Sequence, residues 1–246
     1  MFEFEVCANG LASVIQAERG GATRVELCAG IPEGGTTPSF GTIVSASNYL
    51  KDKQMKLHVI IRPRSGDFLC PTLVFTPMLE DIKAIKEHIE GVVFGCLNKD
   101  GSIDVDSCRL LIEAAQGKSL TFHRAFDMCA DPLRAIDQLA ELGFHRILTS
   151  GGRATAEEGI PQLKLWQRHA EGKIQLMAGG GVNETNIKRI YEETGITAYH
   201  FTARETFISE MEYRNPDVYM GVEDADEYSY EITTERRVRR IISQLQ

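Results

Sequence analysis

Short apolar runs alternate with amphipathic segments along the whole chain, and this alternation constrains the fold more than any other feature. Each run is almost continuously apolar, as expected of parallel strands that are buried on both faces. Eight runs occur, at about 2–8, 24–29, 56–63, 91–97, 119–125, 146–150, 174–179 and 198–203. Eight strand–helix units in 246 residues predict an α/β fold, a single (β/α)8 or TIM barrel. A doubly wound open sheet is the alternative, but it usually has fewer strands.

Helix boundaries are marked between these runs. Thr76-Pro77 and Asp131-Pro132 each offer an N-cap residue followed by proline at the first helical position, and Gly143 and Gly195 stand where glycine commonly ends a helix. No linker or low-complexity segment divides the chain, so we expect one domain over 1–246. The stretch 204–232 carries nine acidic and two basic residues and is predicted to be a long solvated loop after strand eight.

Charge and composition exclude several classes of partner. A net charge of -8 argues against nucleic acid or an anionic membrane as the main partner. The first residues lack the pattern of a signal peptide, and no apolar run approaches the roughly 18 residues of a membrane span, so we expect a cytoplasmic protein. The six cysteines form no CxxC pair and no regular framework, which predicts reduced thiols.

Polar residues gather at the carboxyl ends of the predicted strands. TIM-barrel enzymes place their active sites at that end, whereas the strand starts of this chain look mostly plain. Charged groups at five or six strand ends are hard to explain by packing, because buried charge is costly unless it is paired. We therefore expect a pocket there, with these candidate catalytic residues: Glu26, Arg62, Asp67, His123, Arg124 and Asp127.

Individual candidates allow more than one interpretation. His123 suits a general acid, a general base or a metal ligand, and the alternative is a core histidine bonded to a carboxylate. The guanidinium of Arg62 suits a carboxylate or phosphate of a ligand, and the alternative is an ion pair with Glu26. Asp67 follows a glycine and is expected to orient an arginine rather than to contact a substrate.

A glycine-rich loop follows strand seven. Glycines allow close backbone approach, and free N–H groups at a helix start attract anions, so Gly180 and Gly181 are candidates for phosphate binding. Barrels often bind phosphate with the loops after strands seven and eight, which would add Arg204. A tight turn between strand and helix is the alternative interpretation.

A tripeptide of glutamate, an apolar residue and cysteine occurs twice, as Glu5-Val6-Cys7 and Glu26-Leu27-Cys28. In a strand, residues two apart share a face, so each copy directs a carboxylate and a thiol the same way. If the two strands are neighbours, the thiols would meet, and two thiolates suit a soft ion such as Cu(I). The alternative is that both cysteines are small buried apolar residues.

Several longer strings carry a resemblance to a known family. The chain resembles the copper homeostasis protein CutC family over nearly its whole length, with Ser65 where the family commonly has glycine. The strings are Glu5-Val6-Cys7, Arg24-Val25-Glu26-Leu27-Cys28, Glu33-Gly34-Gly35-Thr36-Thr37-Pro38-Ser39, Ile61-Arg62-Pro63-Arg64-Ser65-Gly66-Asp67-Phe68, Thr121-Phe122-His123-Arg124-Ala125-Phe126-Asp127-Met128 and Leu148-Thr149-Ser150-Gly151. The resemblance implies a cytosolic barrel, often a homo-oligomer, that handles copper and binds Cu(I) through Cys7 and Cys28.

Two functions therefore stand side by side. The first is copper homeostasis, with the copper ion as partner. The second is a TIM-barrel enzyme that acts on an anionic, phosphorylated or carboxylated small molecule by acid–base chemistry of Glu26 and His123, because the polar groups outnumber those that a two-thiol copper site needs. A scaffold for another protein has only the acidic stretch 204–232 in its favour.

Overall fold

The first and eighth strands pair with each other and so close the parallel sheet into a barrel. The computed structural model describes residues 1–215, 217, 218, 220 and 226–246. Closure confirms the predicted (β/α)8 barrel, and the open-sheet alternative is wrong. The barrel strands are β1 (Glu3–Ala8), β2 (Arg24–Leu27), β3 (Lys56–Ile60), β4 (Gly91–Phe94), β5 (Ser119–Phe122), β6 (Arg146–Thr149), β7 (Gln175–Gly179) and β8 (Ala198–Phe201).

Helices surround the barrel, one after each of the first seven strands and one near the end of the chain. They are α1 (Leu11–Arg19), α2 (Phe40–Leu50), α3 (Thr72–Ile85), α4 (Val105–Ala115), α5 (Pro132–Glu141), α6 (Ile160–Ala170), α7 (Ile187–Thr194) and α8 (Glu235–Ile242). The N-cap of α5 is Asp131, whose side chain accepts a hydrogen bond from the Arg134 N–H, as predicted.

The start predicted for α3 at Thr76-Pro77 is wrong. The helix begins one turn earlier because the Pro71 carbonyl accepts hydrogen bonds from the N–H groups of Val74 and Phe75. Pro77 therefore lies inside the helix, where it removes one backbone hydrogen bond.

Alternation along each strand separates a barrel interior from an outer core. Phe4, Val6 and Ala8 point outward into the apolar layer between strands and helices, whereas Cys7 lies in a small interior cluster with Cys28, Ile60 and Val93. Side chains on the interior face at the strand starts form what we call the lower interior, and those at the carboxyl ends line what we call the upper pocket.

The lower interior contains a buried charge network, so the expectation that strand starts are plain is wrong. Arg24 donates hydrogen bonds to Glu5 and, at 2.7 Å, to Glu3. Gln175 donates to Glu3 over 3.1 Å, and Arg146 donates to Thr121 over 3.2 Å. At the amino ends of buried strands, these residues look in the sequence like ordinary surface charges, but barrel closure turns them inward.

The acidic stretch differs from the predicted loop at both of its ends. Strand β9 (Arg204–Ile208) pairs antiparallel with β10 (Ser229–Thr233) as a separate two-stranded sheet. The Thr233 N–H donates to Ser13 Oγ over 3.2 Å, which ties this hairpin to α1. Alternating apolar residues at the ends of the stretch permit strand pairing despite its charge. The acidic residues Glu223 and Asp224 lie outside the described residues.

Cysteine pairing departs in one place from the expectation of six reduced thiols. Cys70 and Cys96 are joined by a disulfide, because the segments after β3 and β4 run side by side and form an isolated bridge between Leu69 and Leu97. The other four cysteines are free: Cys7, Cys28, Cys108 and Cys129.

Across the described part of the chain, the helices are all too short or too polar to span a membrane.

Candidate functional site

The upper pocket is a cavity of about 420 Å³ at the carboxyl ends of the barrel strands. Its charged and nucleophilic lining comes from the two glutamate–cysteine strands, from the segments after β3 and β5, and from β8. The walls between these groups are largely apolar. Its polar lining residues are Cys7, Glu26, Cys28, Arg62, His123, Arg124, Asp127, His200 and Thr202.

The two thiols meet on the floor of the pocket, as adjacent strands predicted. Cys7 lies near the end of β1 and Cys28 directly follows β2, and their Sγ atoms are 3.2 Å apart. Cys28 is 1% exposed and Cys7 8% exposed. The hydrogen bond with Cys28, and then burial, raise the pKa of the Cys7 thiol well above its usual value. A metal that binds here must therefore displace a proton from Cys7.

His200 of β8 lies beside the two thiols, because β8 pairs with β1. Its Nε2 lies 2.8 Å from Glu26 Oε2 and 3.8 Å from Glu5 Oε1. Burial alone would lower the pKa of His200, but the Glu26 carboxylate and the Cys7 thiol raise it well above its usual value. Glu26 and Cys7 therefore favour the protonated imidazole.

Potential ligand atoms converge at this point. One such atom from each of Cys7, Glu26 and His200 lies within 4.8 Å of the other two, and Cys28 Sγ adjoins Cys7 Sγ. Glu26 Oε1 is buried without a hydrogen-bond partner among the described residues. The floor therefore offers one sulfur, one nitrogen and one oxygen in a single cluster, with the sulfur of Cys28 beside that of Cys7.

Arg62 lies on the wall of the pocket, but its partners are backbone carbonyls rather than Glu26. Its Nη1 donates to the carbonyls of Glu33 and Gly35, and its Nη2 donates to that of Gly66. The ion pair with Glu26 is not formed. Arg62 instead fixes the loops after β2 and β3 against each other, while its buried Nε has no partner in the described part of the chain.

His123 lines the pocket as a neutral imidazole. Burial, and then the positive charge of Arg62, lower the pKa of His123 to about 3. Its Nδ1 accepts a hydrogen bond from the Ala125 N–H over 3.2 Å, so the proton of the neutral ring lies on Nε2. Among the described residues His123 bonds to no carboxylate, and its ring packs against Phe68 at a centroid distance of 5.1 Å.

Arg124 and Asp127 form an ion pair on the opposite wall. Arg124 Nε donates to Asp127 Oδ2 over 2.8 Å, and Arg124 Nη2 donates to Ser150 Oγ over 2.7 Å. Asp127 also accepts hydrogen bonds from the N–H groups of Ser150 and Gly152. Because so many donors surround it, Asp127 positions Arg124 and the loop after β6.

Glycines complete this wall, but two predicted residues lie elsewhere. Gly180 and Gly181 line the pocket, whereas Arg204 lies in β9 and pairs with Glu231 of the hairpin. Asp67 also lies outside the pocket, where its 63%-exposed side chain accepts a hydrogen bond from Arg64 over 2.6 Å. The expectation that Asp67 orients an arginine agrees with this position.

His200 is the candidate that the sequence reasoning passed over. His200 is the penultimate residue of β8, and His123 directly follows β5, so His200 was visible as a strand-end polar group in the same way as His123. What the sequence does not show is that β8 pairs with β1 and brings His200 opposite Glu5 in register. Closure, rather than any motif, makes it a neighbour of Cys7.

Comparison with known proteins settles the family. The family model described as "CutC family" matches residues 2–205. The chain belongs to the CutC family. This match covers the whole barrel and ends at the first residues of the β9–β10 hairpin.

Individual relatives agree with this assignment. A CutC family protein of Bacteroides thetaiotaomicron is 54% identical over 239 residues, which cover 96% of this chain and 95% of that protein. The human "Copper homeostasis protein cutC homolog" is 43% identical over 242 residues, covering 98% and 88% of the two chains. The crystal structure of CutC from Streptococcus agalactiae superposes with a TM-score of 0.79 at 38% identity, covering 82% of this chain and 99% of that one.

Proposed function

We propose that this chain serves copper homeostasis by binding Cu(I) through the thiols of Cys7 and Cys28. The observation that carries the proposal is the pair of buried sulfurs, 3.2 Å apart, on the floor of the upper pocket. Thiolates are soft ligands and suit Cu(I) better than carboxylates do. Membership of a family whose human relative is named for copper homeostasis supports the same metal.

The two sulfurs must move apart to bind one ion together. At a metal–thiolate distance of about 2.3 Å, the value for zinc, two sulfurs on one ion stand roughly 3.8 Å apart at a tetrahedral angle and 4.6 Å apart in a line. The sulfurs of Cys7 and Cys28 must therefore move apart by roughly 0.6–1.4 Å on binding. His200 is the nearest third ligand, and Glu26 holds its ring in place.

Anaerobic titration with Cu(I) against a competing chelator tests the proposal. The parent protein is expected to bind one Cu(I), and a Cys7→Ser/Cys28→Ser variant is expected to lose that binding. A Cys108→Ser/Cys129→Ser variant is the matched control, because those two free thiols lie outside the pocket. Equal binding by the parent and the Cys7→Ser/Cys28→Ser variant would refute the proposal.

His200 distinguishes a three-ligand site from a two-thiol site. We expect His200→Gln to weaken Cu(I) binding about 10–100-fold, the range seen when a supporting or outer ligand of a metal site is removed. Competition with Zn²⁺ belongs in the same experiment, because thiolate, imidazole and carboxylate are all ligands of that ion. Preference for Zn²⁺ over Cu(I) at the same site would contradict a copper role.

We also propose that the protein acts in the cytoplasm and as a homo-oligomer. The four free cysteines, among them Cys7 and Cys28 with sulfurs close enough to form a disulfide, support a reducing compartment, and the Cys70–Cys96 disulfide is the exception to that pattern. Exposed apolar side chains of the hairpin segment, Ile208, Met211 and Tyr213, support self-association. Thiol counting on freshly isolated protein and sedimentation velocity test the two points.

A further inference from the structure

The upper pocket is larger than a metal ion requires. Its volume of about 420 Å³ lies within the range of roughly 300–1,000 Å³ that is typical of small-molecule sites. The candidate ion ligands Cys7, Glu26 and His200 form a single cluster. Much of the remaining wall is apolar and includes Ile60, Phe68 and Leu148. A pocket of this size with apolar walls suits the body of an organic molecule.

The charge of the pocket favours an anion. Arg124 is paired with Asp127, and His200 is paired with Glu26. Arg62 is buried, yet its guanidinium donates only to backbone carbonyls, and no carboxylate oxygen of the described residues lies within ion-pair distance of it. Arg62 is therefore a buried cation without an ion-pair partner among the described residues.

Hydrogen-bond donors are free on one wall. Arg124 uses Nε and Nη2 for Asp127, Ser150 and the Arg153 carbonyl, which leaves Nη1 without a partner in the described part of the molecule. The N–H groups of Gly180 and Gly181 likewise make no hydrogen bond to the described residues.

The glycines place these donors side by side. Both adopt positive φ angles, 95° at Gly180 and 74° at Gly181, and a Cβ at Gly180 would lie 3.3 Å from Arg124 Nη1. Successive backbone N–H groups beside a guanidinium are a common way to bind phosphate or carboxylate oxygens. A side chain at residue 180 would crowd the guanidinium at this point.

We propose that the upper pocket binds a small organic anion, with its phosphate or carboxylate group held by Arg124 Nη1 and the N–H groups of Gly180 and Gly181. The apolar body lies against Phe68, Ile60 and Leu148, and His123 Nε2 donates a hydrogen bond to a polar atom of that body. Arg62 supplies the positive potential that attracts the anion. This site goes beyond copper binding and does not depend on it.

Phenyl phosphate is a suitable probe because it joins an anionic group to an apolar ring. Isothermal titration of the parent protein should show binding of phenyl phosphate at least tenfold tighter than that of inorganic phosphate. Phenol at the same concentrations should bind more weakly than phenyl phosphate. Absence of phenyl phosphate binding at millimolar concentration, or equal binding of phenyl phosphate and phenol, would overturn the proposal.

Substitutions of two arginines test where in the pocket the anionic group binds. Arg124→Gln should weaken phenyl phosphate binding about tenfold or more, because a charge-assisted hydrogen bond is lost. Arg153→Gln, at an exposed arginine of the neighbouring loop that does not line the pocket, is the matched control and should bind as the parent does. Equal losses in the two variants would contradict the assignment.

A crystal structure covers the case in which the Arg124→Gln variant does not fold. If Arg124→Gln does not fold, a crystal structure of the parent with phenyl phosphate replaces it, and a phosphate bound away from Gly180 would overturn the proposal. The Cu(I) titration and the phenyl phosphate titration are independent measurements on the metal-free parent protein. Failure of the copper proposal and failure of the anion proposal are therefore separate results.

Discussion

The lower interior and the upper pocket are built from the same eight strands, yet they treat buried charge differently. In the lower interior, Arg24 lies between two carboxylates and both accept its hydrogen bonds. In the upper pocket, Glu26 Oε1 and Arg62 Nε are buried without partners among the described residues. Buried charge thus stabilises one half of the barrel and remains available for ligands in the other.

The largest expected loss of stability comes from removing Arg24 from the charge network of the lower interior. Arg24→Met should lower the free energy of unfolding by about 3–5 kcal/mol, because it leaves the carboxylate of the fully buried Glu5 without its partner. Urea denaturation followed by circular dichroism measures the change.

A surface arginine provides the matched control for that experiment. Arg189 also bridges two carboxylates, those of Glu157 and Glu193, but its side chain is 60% exposed. Arg189→Met should cost less than about 1 kcal/mol. Similar losses for Arg24→Met and Arg189→Met would mean that the lower interior is not the stabilising half.

A fall in pH should lower the free energy of unfolding over a pH range that the buried His58 sets. Burial outweighs the attraction of Glu5 and lowers the pKa of His58 to about 3, whereas an unfolded histidine titrates near 6.5. Between these values the unfolded chain binds one more proton at this residue, so the free energy of unfolding decreases as pH falls from 6.5 toward 3. The decrease is about 1.4 kcal/mol per pH unit for each such histidine.

A histidine variant isolates that contribution. Denaturant unfolding of His58→Leu at pH values from 4 to 7 should show a shallower dependence on pH than the parent. Replacement of the partly exposed His88 by leucine is the control. An unchanged slope in His58→Leu would show that His58 does not couple folding to protons.

A smaller loss of stability is expected when a buried charge of the upper pocket, that of Glu26, is removed. Glu26→Gln should lower the free energy of unfolding by less than Arg24→Met does, because His200 can lose its proton once its carboxylate partner is removed. The pKa of His200 should fall, since its main carboxylate partner is lost. NMR titration of the imidazole measures this, and a loss as large as that of Arg24→Met would erase the contrast between the halves.

The smallest effect is expected outside both regions. Asp67→Asn removes an exposed ion pair with Arg64 and should change the free energy of unfolding by less than 1 kcal/mol. Cu(I) and phenyl phosphate binding should remain at the parent level. A loss of either would place Asp67 in the function of the pocket after all.

Sequence periodicity predicted the fold because every strand of a parallel barrel is buried on both faces. The predicted runs contain all eight observed strands, and the paired glutamate–cysteine tripeptides placed two thiols correctly on adjacent strands. These are local or nearest-neighbour properties, which the order of residues largely determines.

Features that depend on closure were not predictable in this way. The contact of His200 with Glu26 arises only once β8 pairs with β1. The pairing of Arg204 with Glu231 requires a hairpin that its acidic composition concealed. Cys70 and Cys96 meet because two loops run in parallel, a contact that cysteine spacing does not encode.

Glu5 connects the two halves of the barrel. Its Oε2 accepts a hydrogen bond from Arg24 in the lower interior, and its Oε1 lies 3.8 Å from His200, a residue that lines the upper pocket. Anyone who transplants this pocket onto another barrel must therefore carry over Arg24 as well as the residues that face the ligand. A graft of Cys7, Cys28, Glu26 and His200 alone would lack Glu5, the carboxylate that sets the charge beneath them.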